Sequence, residues 1–184
     1  MLIADNLSKI IEELTSSIGK MNSEEAEVLV NEILMSNKVF VAGAGRSGLM
    51  VKAFAMRLMH LGKEVYVVGE TVTPGMGEGD LLLIVSGSGE TKSLVSMAEK
   101  AISIGGKIAT VTLSPDSTIG KLAATTVKLS GVRKDEGDHN QSIQPMGSLF
   151  EQTVLLFLDA VILTLMSKDE LTSTEMYGKH ANLE

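Results

Sequence analysis

The chain has 184 residues, of which 44% are hydrophobic and 21% are charged, and this composition suits one folded domain better than a disordered segment. Its net charge of -7 has the wrong sign for a protein that follows nucleic acid or anionic membranes through a basic surface, and an aromatic content of 3% leaves little material for base stacking. The absence of cysteine excludes disulfides, thiolate metal sites and cysteine nucleophiles.

Two helices are predicted at the start of the chain. Residues 3–18 place apolar side chains at helical spacing and are followed by Gly19. Asn22 is a suitable cap for a second helix that continues to Ser36, with acidic residues in its first turn. The opening residues have neither the basic nor the apolar region of a secretory signal, so we expect a cytoplasmic protein.

From Lys38 onward, short apolar runs alternate with helical windows, a rhythm typical of βαβ units. The runs predict five strands, over 39–42, 64–68, 81–85, 107–112 and 125–129. Helices are predicted over 47–61, 91–104 and 117–123, and the stretches 71–80 and 131–144 are predicted as loops. We therefore expect an α/β fold, a three-layer sandwich with a five-stranded parallel sheet, in one domain over 1–184 with residues 1–36 as its N-terminal helix pair.

Residues 146–166 are nearly all apolar and long enough to cross a bilayer. Glu151, Gln152 and Asp159 interrupt the run, and a carboxylate within a membrane span is costly. The pattern favours a helix that is buried in the core or at a subunit interface.

A glycine-rich turn, Gly43-Ala44-Gly45-Arg46-Ser47-Gly48, follows the first strand and opens a helix. This is the context of a dinucleotide-binding fingerprint, and Glu70 stands beyond the second strand at about the distance expected of a ribose-binding carboxylate. A nucleotide-binding protein is therefore one interpretation.

A second turn of the same kind argues for another interpretation. Ser86-Gly87-Ser88-Gly89-Glu90-Thr91 also leaves a strand and enters a helix. Two such turns at the C-terminal ends of neighbouring strands would form one crevice with exposed N–H groups and hydroxyls, which suits a single phosphate group. The alternative is that both are only tight turns with helix caps.

The titratable side chains leave their roles open. Glu151, among apolar neighbours near a helix start, suits a general base but equally a residue favoured by the helix dipole, and Asp159 is a weaker candidate. Arg46 could pair with phosphate or polarise a carbonyl, or be an exposed turn residue. His60 fits a structural role at a helix end and His139 lies in a charged loop. Neither metal-ligand spacing nor a Walker A motif is present, so we expect no metal site.

The strand followed by GAGRSG, the SGSGET turn, and the later QPMGSLFEQ and HANLE segments together resemble the sugar isomerase (SIS) domain, and within it the 6-phospho-3-hexuloisomerase family. The resemblance covers essentially the whole chain. It implies a flavodoxin-like sheet order, a cofactor-independent interconversion of D-arabino-hex-3-ulose 6-phosphate and D-fructose 6-phosphate, and a homotetramer. It also implies a place in the ribulose monophosphate pathway of formaldehyde fixation, with hexulose-phosphate synthase as the upstream partner.

The resemblance also implies roles for individual residues. It favours Glu151 as the catalytic base of a 2,3-enediol mechanism, and it brings in His180 as a second catalytic residue, since related isomerases use a histidine near the end of the domain, often in a neighbouring subunit. The expected substrate-binding residues are Arg46, Ser47, Ser86, Gly87, Ser88, Gly89, Glu90 and Thr91. The runner-up function is a non-catalytic phosphosugar-binding regulator, which would keep the turns but have no need of Glu151.

Overall fold

A computed structural model describes residues 2–131 and 142–183, which form a five-stranded, all-parallel sheet with helices on both faces. The strands lie in the order β2-β1-β3-β4-β5, the flavodoxin-like order. They are β1 (Val39–Gly43), β2 (Val65–Val67), β3 (Leu81–Val85), β4 (Lys107–Thr112) and β5 (Thr125–Lys128). The predicted α/β fold class and parallel sheet are confirmed.

The helices also follow the sequence prediction closely. They are α1 (Ile3–Ile18), α2 (Ser23–Met35), α3 (Gly45–Leu61), α4 (Lys92–Ser103), α5 (Thr118–Leu122), α6 (Ser148–Lys168) and α7 (Ser173–Tyr177). Asn22 caps α2 as expected, because its side chain accepts a hydrogen bond from the Glu24 N–H at 2.9 Å. The short helix α7 is not predicted from the sequence.

The inner strands β1, β3 and β4 are buried on both faces, whereas the edge strands β2 and β5 are only partly buried. Burial on both faces is why β1 and β3 read as continuous apolar runs. Alternate residues point to opposite sides, so that Val41 and Leu83 belong to one core and Phe40 and Leu82 to the other. The first core lies under α2, α3 and α6, and the second lies under α4 and α5. These two cores and the sheet between them make the three-layer sandwich.

The long apolar helix α6 is a core helix. By length and composition alone it could cross a membrane, but 56% of its most apolar window is buried inside the protein. It packs most extensively against α3. Glu151 is among its buried residues, whereas Asp159 is exposed. The expectation of a helix surrounded by protein on most sides therefore fits the structure.

Candidate active site

The two glycine-rich turns lie side by side at the C-terminal edge of the sheet. The first follows β1 and the second follows β3, and these strands are hydrogen-bonded neighbours. The helices that leave them, α3 and α4, pack on opposite faces, so the crevice is at the point where the strand order reverses. A cavity of about 490 Å³ opens there. Its lining includes Gly45, Ser47, Ser86, Ser88, Glu90, Thr91, Leu113, Gly147 and Phe150.

The first turn is fixed by a close approach of two glycines. A Cβ on Gly48 would lie 2.6 Å from the carbonyl oxygen of Gly43, and a Cβ on Gly43 would lie 2.9 Å from the Gly48 Cα. Gly45 has a φ of 58°, a conformation that favours glycine. The turn therefore brings the first N–H groups of α3, together with the buried Ser47, to the edge of the cavity.

Two serine hydroxyls of the second turn hold its backbone in place through hydrogen bonds. Ser86 Oγ accepts a hydrogen bond from the Gly89 N–H at 3.1 Å, and Ser88 Oγ accepts one from the Glu90 N–H at 3.2 Å. A hydroxyl that accepts in this way keeps its own hydrogen for donation to a ligand. The Thr91 side chain makes no cap bond to α4, so its hydroxyl also remains available. The turn is thus rich in donors that carry no formal charge.

A buried carboxylate stands beside this cavity. Glu151 is only 2% exposed, and its Oε2 lies 3.0 Å from Nε of Arg46, whose side chain is about half exposed. Arg46 Nη1 also donates to Ser148 Oγ at 3.3 Å. Neither Glu151 nor Arg46 lines the cavity itself, but Gly147, the N-cap of α6, and Phe150, the residue before Glu151, do. The sequence-predicted base and cation are therefore brought together at the cavity margin.

The histidines lie elsewhere in the described chain. His180 stacks on His60 with ring centroids 5.4 Å apart, and on Tyr177 at 6.0 Å. His60 is buried near the C-terminal end of α3, about 22 Å along the helix axis from the cavity at Gly45. A single chain therefore does not bring His180 to Glu151. His139 lies outside the described residues.

Burial lowers the pKa of His60, and the nearby charges of Arg57 and His180 lower it further. Arg57 Nη1 is 3.3 Å from His60 Nδ1. This end of α3 thus holds a histidine that favours its neutral form.

The cavity lining also includes residues outside the predicted site, among them Leu113, Gly147 and Phe150. Phe150 packs against the second turn, because a Cβ added to Gly87 would lie 3.3 Å from its ring. Leu113 follows β4, the next strand beyond β3, so its place at the C-terminal edge of the sheet was the signal that could have identified it. The SLFEQ segment similarly points to Phe150 as the neighbour of Glu151.

Two further points concern the nucleotide-binding interpretation, for which Glu70 is a candidate, and the presence of a metal site. Glu70 Oε1 lies 3.3 Å from Nζ of Lys52 on α3, with both side chains about half exposed. Within residues 2–131 and 142–183, no group of three His, Asp or Glu side chains is arranged to hold a metal ion.

Comparisons with known proteins agree with this geometry. The profile of the SIS domain matches residues 32–157. A 3-hexulose-6-phosphate isomerase of Bacillus subtilis is 52% identical over 185 residues, which cover 100% of both chains. One from Mycobacterium gastri is 42% identical, over 99% of this chain and 92% of its own. A Methanococcus jannaschii crystal structure, from which a 3-hexulose-6-phosphate isomerase function was inferred, superposes with a TM-score of 0.84 at 34% identity over 98% of this chain and 99% of its own.

Proposed function

The chain belongs to the SIS domain family and, within it, to the family of the 3-hexulose-6-phosphate isomerases, and we propose that it interconverts D-arabino-hex-3-ulose 6-phosphate and D-fructose 6-phosphate. The observation that carries the proposal is a buried carboxylate, Glu151, beside a cavity formed by two donor-rich turns. The turns offer donors for the phosphate of the substrate, and the carboxylate can transfer a proton between neighbouring carbon atoms.

The reaction moves a ketone from C3 to C2 of the open-chain sugar. Glu151 removes the proton from C2, and the electron pair of the C2–H bond forms the C2–C3 double bond while the C3 carbonyl oxygen takes up the charge. In the resulting enediolate the proton of the O2 hydroxyl is transferred to O3, which becomes the C3 hydroxyl. The electron pair left on O2 forms the C2 carbonyl, while the electrons of the C2–C3 double bond take back the proton from Glu151 at C3. One carboxylate serves both transfers, and its burial keeps competing water away.

Arg46 serves the same centre. Its Nε pairs with the Glu151 carboxylate at 3.0 Å. A guanidinium at this place can also donate to the oxygens of the enediolate, where negative charge develops. Arg46 is therefore assigned to the reacting end of the substrate, while the phosphate is assigned to Ser47, Ser86, Ser88, Thr91 and the N–H groups around them.

His180 acts in a neighbouring subunit under this proposal. Its stacking on His60 places it at the end of α3 remote from its own cavity, on an exposed segment that a second chain can reach. There it would move the hydroxyl protons or assist ring opening. This role requires an oligomer, and we propose a homotetramer.

Exposed apolar side chains support the assembly. On α1, Ile3, Leu7 and Ile11 are 87%, 56% and 54% exposed, and on α3, Leu49 and Met56 are 59% and 56% exposed. Contiguous apolar helix faces of this kind are covered when subunits pack. We assign the α1 stripe, defined as Ile3, Leu7 and Ile11, to a contact between copies of this chain.

The wider setting follows from the family. We propose that the whole chain works as a single SIS domain in the cytoplasm and needs no cofactor. Its substrate would come from hexulose-phosphate synthase, the enzyme that condenses formaldehyde with ribulose 5-phosphate in the ribulose monophosphate pathway.

Solvent isotope exchange tests the proposal. In D2O, the wild type should introduce deuterium at C3 of fructose 6-phosphate, and Glu151→Gln should slow this exchange by about 100-fold or more. Asp159→Asn, which removes an exposed carboxylate two turns further along α6, is the matched control and should exchange like the wild type. Binding of fructose 6-phosphate by the wild type without any exchange would favour the non-catalytic regulator.

A further inference from the structure

Glu90 is an acidic residue within a turn that is assigned to bind an anion. A carboxylate so close to a phosphate would repel it unless its charge were used elsewhere. The structure shows such a use: Glu90 Oε1 accepts the Thr118 N–H at 2.7 Å, and Oε2 accepts the Thr118 hydroxyl at 2.9 Å. Both contacts are made to the first residue of α5, which follows a different strand from the one that leads into the turn.

Other contacts fasten the same turn to the same neighbour. The Gly89 carbonyl accepts the Ile119 N–H at 3.2 Å, and the Gly87 carbonyl accepts the Leu113 N–H at 3.2 Å. Gly89 has a φ of 65°, and a Cβ there would collide with the Ser117 side chain. The Gly87 and Gly89 carbonyls are thus directed towards the stretch of chain that runs from the end of β4 into α5.

The N–H groups of the turn remain available to a ligand. The N–H groups of Gly87, Ser88 and Thr91 have no hydrogen-bond partner among the described residues, and all three residues line the cavity. A peptide unit whose carbonyl is bound on one side presents its N–H on the other. The Ser88 N–H belongs to the same peptide unit as the Gly87 carbonyl, so the contact of that carbonyl with Leu113 sets the direction of this donor. The contacts of Glu90 and Gly89 with α5 hold the rest of the turn in place around it.

We propose that Glu90 is a positioning residue: its contact with Thr118 holds the 86–91 turn in the conformation that presents these N–H groups to the phosphate of the substrate. The inference rests on the proposed function, since it concerns the phosphate end of the same site, and it replaces the expectation that Glu90 binds substrate directly. Glu90 acts through the turn and does not touch the reacting carbons.

The test compares Glu90→Ala and Glu90→Gln by two readouts, the dissociation constant for inorganic phosphate and the kinetic constants with fructose 6-phosphate. Removing the charged acceptor in Glu90→Ala should weaken phosphate binding and raise KM by about tenfold, with kcat changed by less than about twofold. Glu90→Gln keeps one acceptor for the Thr118 N–H, so its phosphate affinity should be intermediate. Glu99→Gln removes the same charge from an exposed position on α4 and should leave both readouts unchanged.

Thr118→Val provides a second route to the same contact. It removes the hydroxyl while leaving the N–H, and its effect on phosphate affinity should not add to that of Glu90→Ala if the two residues act through one contact. The milder Gln and Val variants keep the test decisive should Glu90→Ala fold poorly.

Three results would overturn the inference: unchanged phosphate affinity in Glu90→Ala, tighter binding in both Glu90 variants, as simple charge repulsion predicts, or a loss confined to kcat. A wild type that does not bind phosphate at all would instead remove the proposed function itself. The two failures are therefore distinguishable, because phosphate binding is measured without turnover.

Discussion

Arg46 and Glu151 are 105 positions apart in the chain, yet the guanidinium Nε of one lies 3.0 Å from the carboxylate of the other. The pair is asymmetric, since the arginine side chain is 56% exposed and the glutamate side chain 3% exposed. The cation is therefore open to solvent, whereas the carboxylate is enclosed by protein. The relationship links the first turn, which carries Arg46, to the start of α6, which carries Glu151.

Replacing Arg46 should reduce catalysis more than it reduces phosphate binding. Arg46→Met removes a donor to the enediolate and should lower kcat by about 100-fold, whereas Arg46→Lys keeps the charge and should retain part of the activity. Steady-state kinetics with fructose 6-phosphate give kcat and KM for each variant. Lys52→Met, which removes an exposed cation from the same helix, is the control. Equal losses in the Lys52 and Arg46 variants would contradict a specific role for Arg46.

Mixed oligomers should reveal where His180 acts. If it completes a neighbour's site, co-refolding Glu151→Gln with His180→Ala should restore activity, because some sites then combine an intact Glu151 from one chain with an intact His180 from another. Each variant alone should remain impaired. If mixed oligomers form and show no recovery above the sum of the two separate variants, His180 does not act between chains.

The α1 stripe should be needed for assembly. Leu7→Lys combined with Ile11→Lys places two charges on the exposed apolar face of α1 and should lower the molar mass measured by sedimentation equilibrium. Val72→Lys alters a residue that is 83% exposed in the loop between β2 and β3 and is the matched control. A double variant with the wild-type mass would show that another surface makes the contact.

A side chain at Gly48 should destabilise the fold. In Gly48→Ala the new Cβ meets the Gly43 carbonyl at 2.6 Å, and backbone atoms on a central strand cannot yield easily. An overpacking cost of about 2 kcal/mol corresponds to a fall in Tm of roughly 4–8 °C for a chain of this size. Gly75→Ala, whose Cβ would meet nothing within 4 Å, should change Tm little. Scanning calorimetry compares the two.

His60 should make the protein less stable as the pH falls. Burial, with Arg57 and His180, lowers the pKa of His60 in the folded state below its ordinary value of 6.5. Below that value the unfolded chain takes up a proton that the folded chain resists, so the free energy of unfolding decreases as the pH falls from about 7.5 to about 5.5. His60→Gln should show a smaller fall in Tm over this interval. An identical fall in both proteins would mean that His60 is not responsible.

The sequence predicts the local structure well because the signals are local. The apolar runs that become β1 and β3 reflect burial on both faces, and the glycines between strand and helix mark turns that admit no side chain at Gly43 or Gly48. With these signals the crevice between the two turns can be predicted, because the carboxyl ends of parallel strands lie at the same edge of a sheet.

Contacts between distant segments are not encoded in spacing. Nothing in the helical pattern of α6 indicates that Arg46 will pair with Glu151, and the acid in the second turn gives no sign that its partner is Thr118. The position of His180 is equally inaccessible, since it depends on how α7 and the tail lie against α3. The candidate residues could be named from the sequence, but which of them meet could not.

The contact between Gly43 and Gly48 has a consequence for altering the specificity of this enzyme. Because backbone meets backbone there, the first turn cannot be reshaped by a side chain at either glycine. Among the described residues that line the cavity, Leu113 and Phe150 carry large apolar side chains whose replacement would change the space for a longer, shorter or differently branched carbon chain. Libraries that aim at new ketose phosphates should therefore diversify those two positions and leave the glycines untouched.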